Sequence, residues 1–162
     1  MRIRTATDDD WPAIWPLWHA IVAAGETYVW SDDTTCDEAR QLWMLPPPAE
    51  VVVLEDDEGV VRGSAVLKPN QPGRGDHVAN AGFMVDPDSQ GQGFGRRLAE
   101  TVLERARAAG YQAMQFNAVV ATNAGAIRLW ESLGFTIVGT LPGAFRHPRL
   151  GLVDLHVMHR AL

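Results

Sequence analysis

The sequence has a single cysteine, Cys36. An intramolecular disulfide and a cysteine-rich zinc site are therefore excluded, and a reducing compartment is expected. Long apolar runs are missing as well. The most apolar stretch, Ala13 to Ala24, contains Pro16 and His19 and is shorter than the about 20 residues that span a bilayer. The first ten residues turn acidic before any apolar segment, which is not the order of a targeting signal, so a cytoplasmic location is expected. Positive charge is scarce: 14 Lys+Arg against 20 Asp+Glu leave a net charge of −6. That balance argues against nucleic acid and against an anionic membrane as partners. His147, His156 and His159 have no cysteine or carboxylate cluster at ligand spacing, so no metal is expected. Repeats and low-complexity linkers are also absent.

What is present suits one folded unit, residues 1–162. Hydrophobic residues make up 46% and charged residues 21% of the chain, the balance of a globular protein. A chain of this length buries about 70% of its unfolded surface. Residues 2–6 alternate and read as a strand. Thr7 or Asp8 caps a helix in which Trp11, Trp15 and Trp18 share one face at i, i+4, i+7 as packing residues, and Gly25 ends it. Thr35 caps a second helix, from Cys36 to about Leu45, stopped by Pro46-Pro47-Pro48. Residues 50–56 and 60–68 form a hairpin around Asp57-Glu58-Gly59. A strand at 77–86, a helix at 95–109, a strand at 112–120 and a helix at 123–133 follow. Strands at 136–141 and 151–159 close the chain around a loop from Pro142 to Leu150. The order β-α-α-β-β-β-α-β-α-β-β predicts an α/β fold, a mixed sheet with helices on both faces.

The strongest local signal is Gln90-Gly91-Gln92-Gly93-Phe94-Gly95-Arg96, between a strand and a helix. Alternate glycines let a ligand approach the backbone closely. The loop opens a helix N-terminus, which favours an anion, and Arg96 and Arg97 add positive charge. A phosphate or pyrophosphate is the natural guest. A Walker A loop is excluded because Arg96 follows Gly95 where Lys is needed. A Rossmann fingerprint is excluded because the third glycine comes one position early. A plain flexible turn stays open on the glycines alone.

Together with N-A-G-A-I-R-L-W-E-S-L-G-F at 123–135, the glycine loop resembles the GNAT superfamily of acyl-CoA-dependent N-acetyltransferases, and the resemblance spans nearly the whole chain. It implies a mostly antiparallel sheet and acetyl-CoA as co-substrate, with residues 90–96 holding the pyrophosphate. It also implies that Phe83, Met84 and Val85 offer backbone groups to the pantetheine arm and thioester, and that Asn123 contacts the coenzyme. The Val85 N–H is the expected oxyanion donor. The stretches M-Q-F-N-A-V-V-A-T-N and G-T-L-P-G-A-F-R-H-P-R-L-G-L-V-D are similar to small-molecule acetyltransferases of the phosphinothricin and proline-analogue types. That likeness implies substrate-side roles for Asn80 and Asn117, whose amides can donate to a carboxylate.

One position departs from the pattern. Trp130 stands where many relatives have a tyrosine that protonates the leaving thiolate, and an indole N–H is no acid. Trp130 is expected instead to wall the cleft beside the cofactor. Tyr28 is expected to wall the substrate site, and Arg146 to reach a substrate carboxylate. Glu26, Asp32, Asp33, His77 and a water chain are all open as general base. The expected reaction moves acetyl to a primary or secondary amine of a small molecule, such as an amino acid or analogue, by direct attack. A protein or peptide acceptor and a non-catalytic acyl-CoA-binding module are the alternatives. A homodimer, the commonest symmetric assembly, is open.

Overall fold

The computed structural model describes residues 1–89 and 91–162; Gln90, one of the expected cofactor residues, lies outside them. Seven strands form one sheet: β1 (Arg2–Thr5), β2 (Glu50–Glu55), β3 (Val61–Pro69), β4 (Val78–Val85), β5 (Ala113–Val120), β6 (Thr136–His147) and β7 (Gly151–Ala161). Their order is β1-β2-β3-β4-β5-β7-β6. Every neighbouring pair is antiparallel except β4 and β5.

The helices begin and end where local chemistry dictates. The Asp10 carboxylate accepts from the Thr7 N–H at 2.7 Å, and a short turn of three aspartates leads into α1 (Trp11–Ala24). Gly25, at φ 67°, ends α1 in the left-handed region that glycine enters without a Cβ penalty. Thr35 and Glu38 cap α2 (Cys36–Trp43) reciprocally. α3 (Phe94–Ala108) and α4 (Ala124–Ser132) carry the two sequence motifs.

Both faces are covered from β2 to β4, which explains the unbroken apolar run Val51–Leu54. Val51 and Val53 pack under α1 and α2 with Val66, Met84, Trp18 and Trp43. Val52 and Leu54 face the opposite way, into a larger core with α3, α4, Met114, Phe116 and Met158. As expected, Trp11 and Trp18 are buried, and Trp15 stacks on Trp18 with ring centroids 5.8 Å apart.

The C-terminal hairpin corrects the sequence reading. β6 does not stop at Leu141 but runs on to His147, so the expected loop shrinks to residues 148–150. Pro142 is tolerated because β6 is the sheet's outer strand, where a missing N–H breaks no ladder bond. The register slips between Leu141 and Phe145. The bulge is pinned by the Gly143 N–H, which donates to the Asp154 carboxylate at 2.9 Å.

Candidate functional site

β4 and β5 are paired only at Val78–Ala113 and Ala79–Met114. Beyond that point a gap opens in the sheet, and its β4 edge is unusually well defined. The Asp86 N–H donates to the Arg62 carbonyl and the Asn70 N–H to the Val78 carbonyl, at 2.9 and 2.8 Å. The even-numbered residues of β4 therefore bond to β3, and Ala81, Phe83 and Val85 turn their backbone groups toward β5. There is no ladder there to receive them. The Val85 N–H thus faces the gap. Met84 does not: its backbone belongs to the β3 ladder and its side chain is 1% exposed, under α1 and α2. Its expected cofactor contact is corrected on that ground.

The Phe83 backbone already has a partner. The Tyr28 hydroxyl accepts from the Phe83 N–H and donates to the Phe83 carbonyl, each at 2.9 Å. Burial pushes this phenol well above its ordinary range, so it stays protonated. Tyr28 stacks on Trp30 at 4.9 Å and meets Trp43 edge-on at 6.1 Å. An aromatic train thus runs from α1 through the connecting loop to the strand edge.

On the other side of the gap, Trp130 is 8% exposed, with ring centroids 4.9 Å from Phe83 and 4.7 Å from Phe116. It is a wall, as expected of an indole at this position. Asn123 Oδ1 caps α4 by accepting from the Ala126 N–H at 3.1 Å.

The glycine loop ends at α3. Gly91 and Gly93 adopt φ 80° and 83°, and nothing stands within 4 Å of a Cβ built on either. The loop is therefore open on the side a ligand needs. Gly95 tucks against Leu129 and Val85, at 3.8 and 3.9 Å from its Cβ position. The N–H groups of Gly95 and Arg96 have no backbone partner among the described residues, because the helix ladder starts at Arg97. Gln92 is exposed. The Phe94 side chain is 7% exposed and belongs to the core, so only its backbone can serve a ligand. Arg96 donates to Ser132 Oγ at 2.7 Å and lies 3.5 Å from Glu100, which anchors its guanidinium. An exposed helix N-terminus, an open glycine loop and an anchored guanidinium fit a phosphate-bearing group.

The gap widens into a cavity of about 550 Å³ reaching from Pro87 and Asn123 to the loop after α1. Tyr28, Asn80, Asn117 and Trp130 all line it, so these expected residues are brought together. Arg146 is not. It lines an adjoining hollow with Pro148 and Asp32, which shares Ala24, Tyr28, Val29 and Trp30 with the cavity wall. Of the open general-base candidates only Glu26 lines the cavity, and its carboxylate is held by Arg149.

The two asparagines are already bonded. Asn80 Nδ2 donates to the Gln115 carbonyl at 2.9 Å, across the point where the β4–β5 ladder ends. Asn117 Nδ2 donates to Asn70 Oδ1 at 2.7 Å, and Asn117 Oδ1 accepts from Gln115 Nε2 at 2.8 Å. Lys68, which the sequence reading passed over, also lines the cavity. The signal was available in principle, a lone cation ending an apolar strand, but its facing depends on strand register.

Among families of known proteins, the model described as "Acetyltransferase (GNAT) family" matches residues 11–135. The N-acetyltransferase aca1 of Schizosaccharomyces pombe is 39% identical over 113 residues, 69% of this chain. The chain spans only about half, 54%, of that relative's length. An L-methionine sulfoximine/L-methionine sulfone acetyltransferase of Salmonella typhimurium is 31% identical over 156 residues, covering 88% of this chain and 84% of the relative. A GCN5-related N-acetyltransferase from Kribbella flavida superposes with a TM-score of 0.96 at 50% identity, covering 99% of this chain and 97% of that one. The protein yncA from Salmonella typhimurium, solved with acetyl-CoA, superposes with a TM-score of 0.82 at 32% identity, covering 100% of this chain and 94% of that one.

Proposed function

Because the chain belongs to the acetyltransferase (GNAT) family, we propose that it moves an acetyl group from acetyl-CoA to the amine of a small molecule, an amino acid or close analogue. The observation that carries this reading is the stretch of the β4 edge that β5 leaves without a ladder. It joins an anion-binding helix terminus at one end to a small, largely apolar chamber at the other. The relatives named for methionine sulfoximine and methionine sulfone support the acceptor class.

The donor supplies an acetyl group activated as a thioester. The free N–H groups at the start of α3, together with Gly91, Gly93 and Arg96, suit its phosphates. Val85 would present its N–H to a carbonyl oxygen where negative charge develops. Phe83, Phe116 and Trp130 form a ring wall that keeps water off the reacting atoms. Trp130 brings no titrating group, so the chain's main service is to hold a neutral amine in place. A chamber of about 550 Å³ matches the usual size of a small-molecule site.

The test is release of free thiol from acetyl-CoA with a panel of amino acids, amine antibiotics and short peptides. Turnover with amino acids bears the reading out. Turnover only with peptides reassigns the acceptor, and binding without turnover leaves a coenzyme-binding module.

A further inference from the structure

The cavity's charges are unequal in kind. Its one acidic lining residue, Glu26, is neutralised by Arg149. Its one cationic lining residue, Lys68, has no hydrogen-bond or ion-pair partner among the described residues. Lys68 sits on β3 directly opposite Asn80 on β4. Opposed residues of antiparallel strands project from the same face, so both stand on the α1/α2 side of the gap, the side that Tyr28 closes. Lys68 is half-buried. The amides of Asn80 and Asn117 each spend one of two N–H donors within the protein and carry no charge, whereas the Lys68 ammonium is a cation with three donors. The nearby lining is apolar: Ile21, Val29, Trp30, Leu42 and Leu45. Across the whole chain Lys68 is the only lysine, in a protein of net charge −6 that repels anions at long range. A carboxylate entering this cavity therefore needs a local cation.

We propose that Lys68 is the specificity-determining residue of the acceptor site: its Nζ receives the carboxylate of an α-amino acid whose apolar side chain lies against the Ile21–Leu45 wall. This rests on the acceptor class proposed above and narrows it to acceptors that keep a free carboxylate.

Two acceptor pairs test it: L-methionine sulfone and its carboxamide, and L-leucine and L-leucinamide. In the wild type the acids should be used with KM well below the amides. Lys68→Met, which keeps the stem and loses the charge, should raise KM for the acids about ten-fold or more. KM for the amides and for acetyl-CoA should stay put, and Lys68→Arg should recover part of the loss. A merely structural lysine would shift acids and amides alike. A second readout needs no turnover. Because the chain has one lysine, acylation by N-hydroxysuccinimidyl acetate can be followed at that one side chain by peptide mass mapping. L-methionine sulfone should slow it and the carboxamide should not. Equal use of acids and amides, with no acid-specific effect of Lys68→Met and no protection, overturns the Lys68 assignment alone. If no amine of the panel releases thiol and no acid protects Lys68, the acceptor class falls with it.

Discussion

Trp130 and Asn80 both line the cavity, and both already have contacts within the protein. Trp130 packs between Phe83 and Phe116 and is nearly sealed from solvent. Trp130→Phe should keep most of the activity, because the ring wall survives. Trp130→Ala should cost about 3–5 kcal/mol of stability and most of the turnover. Denaturation and steady-state rates on the pair check this, and loss of turnover in a stably folded Trp130→Phe would make the indole N–H essential. Asn80 bridges to the Gln115 carbonyl where the ladder ends. Asn80→Ala should lower stability by about 0.5–1.5 kcal/mol and leave the KM of an amino acid unchanged. A large rise in that KM on a stable fold would return Asn80 to the substrate.

At the scale of elements, α3 and its loop make the sharpest prediction. Gly93 holds φ 83° with open space around its Cβ position. Gly93→Ala forces a side chain into the left-handed region at about 1–2 kcal/mol and puts a methyl where the phosphates approach. Gly59, at φ 81° in the β2–β3 turn and also in open space, is the control. Both alanine variants should lose similar stability in thermal melts. Only Gly93→Ala should lose coenzyme A affinity by calorimetry, and equal affinities would remove the phosphates from this loop. The ends of α1, α2 and α3 were legible in the sequence because caps and glycines act over a few residues: Thr35–Glu38 and Gly25 are local devices. The gap and its lining were less so. Lys68 acquires meaning only once Asn80 lies opposite it, which is a matter of register between strands. Arg146 lies on β6, which runs past Pro142, and lines the hollow beside the cavity; that extension depends on β6 being an outer strand.

Across the whole molecule, Arg4 ties three distant pieces together. Its guanidinium bonds both oxygens of Asp10 at 2.7 and 2.8 Å and the Glu55 carboxylate at 2.6 Å, joining β1, the entry to α1 and the end of β2. The bond to Arg4, opposed by burial and reinforced by the Thr7 N–H, lowers Asp10 from 3.8 to about 2. A carboxylate depressed on folding adds stability that is fully present above its ordinary value and fades as pH falls toward the folded one. Unfolding free energy should therefore drop between about pH 4 and pH 2, in the window set by that shift. Asp10→Asn should be less stable at pH 7 and should flatten that limb. Identical acid limbs in chemical denaturation would show that the shift plays no part in folding.

Taken as a mechanical object, the sheet has one seam. Two residue pairs, the bond from the Gln112 N–H to the His77 carbonyl, the Asn80–Gln115 bridge and the Asn117–Asn70 bond hold its halves together. The core under α3 and α4 runs across that seam from β2 to β7, while the core under α1 and α2 reaches only β4. A plate backed on one side yields toward the other. Bulkier acceptors should therefore be admitted by bending along the seam, with the α1/α2 side opening and the α3/α4 backing acting as the spine. Structures with acceptors of graded size should differ chiefly in the dihedral angle between the two half-sheets, with the packing under α3 kept intact.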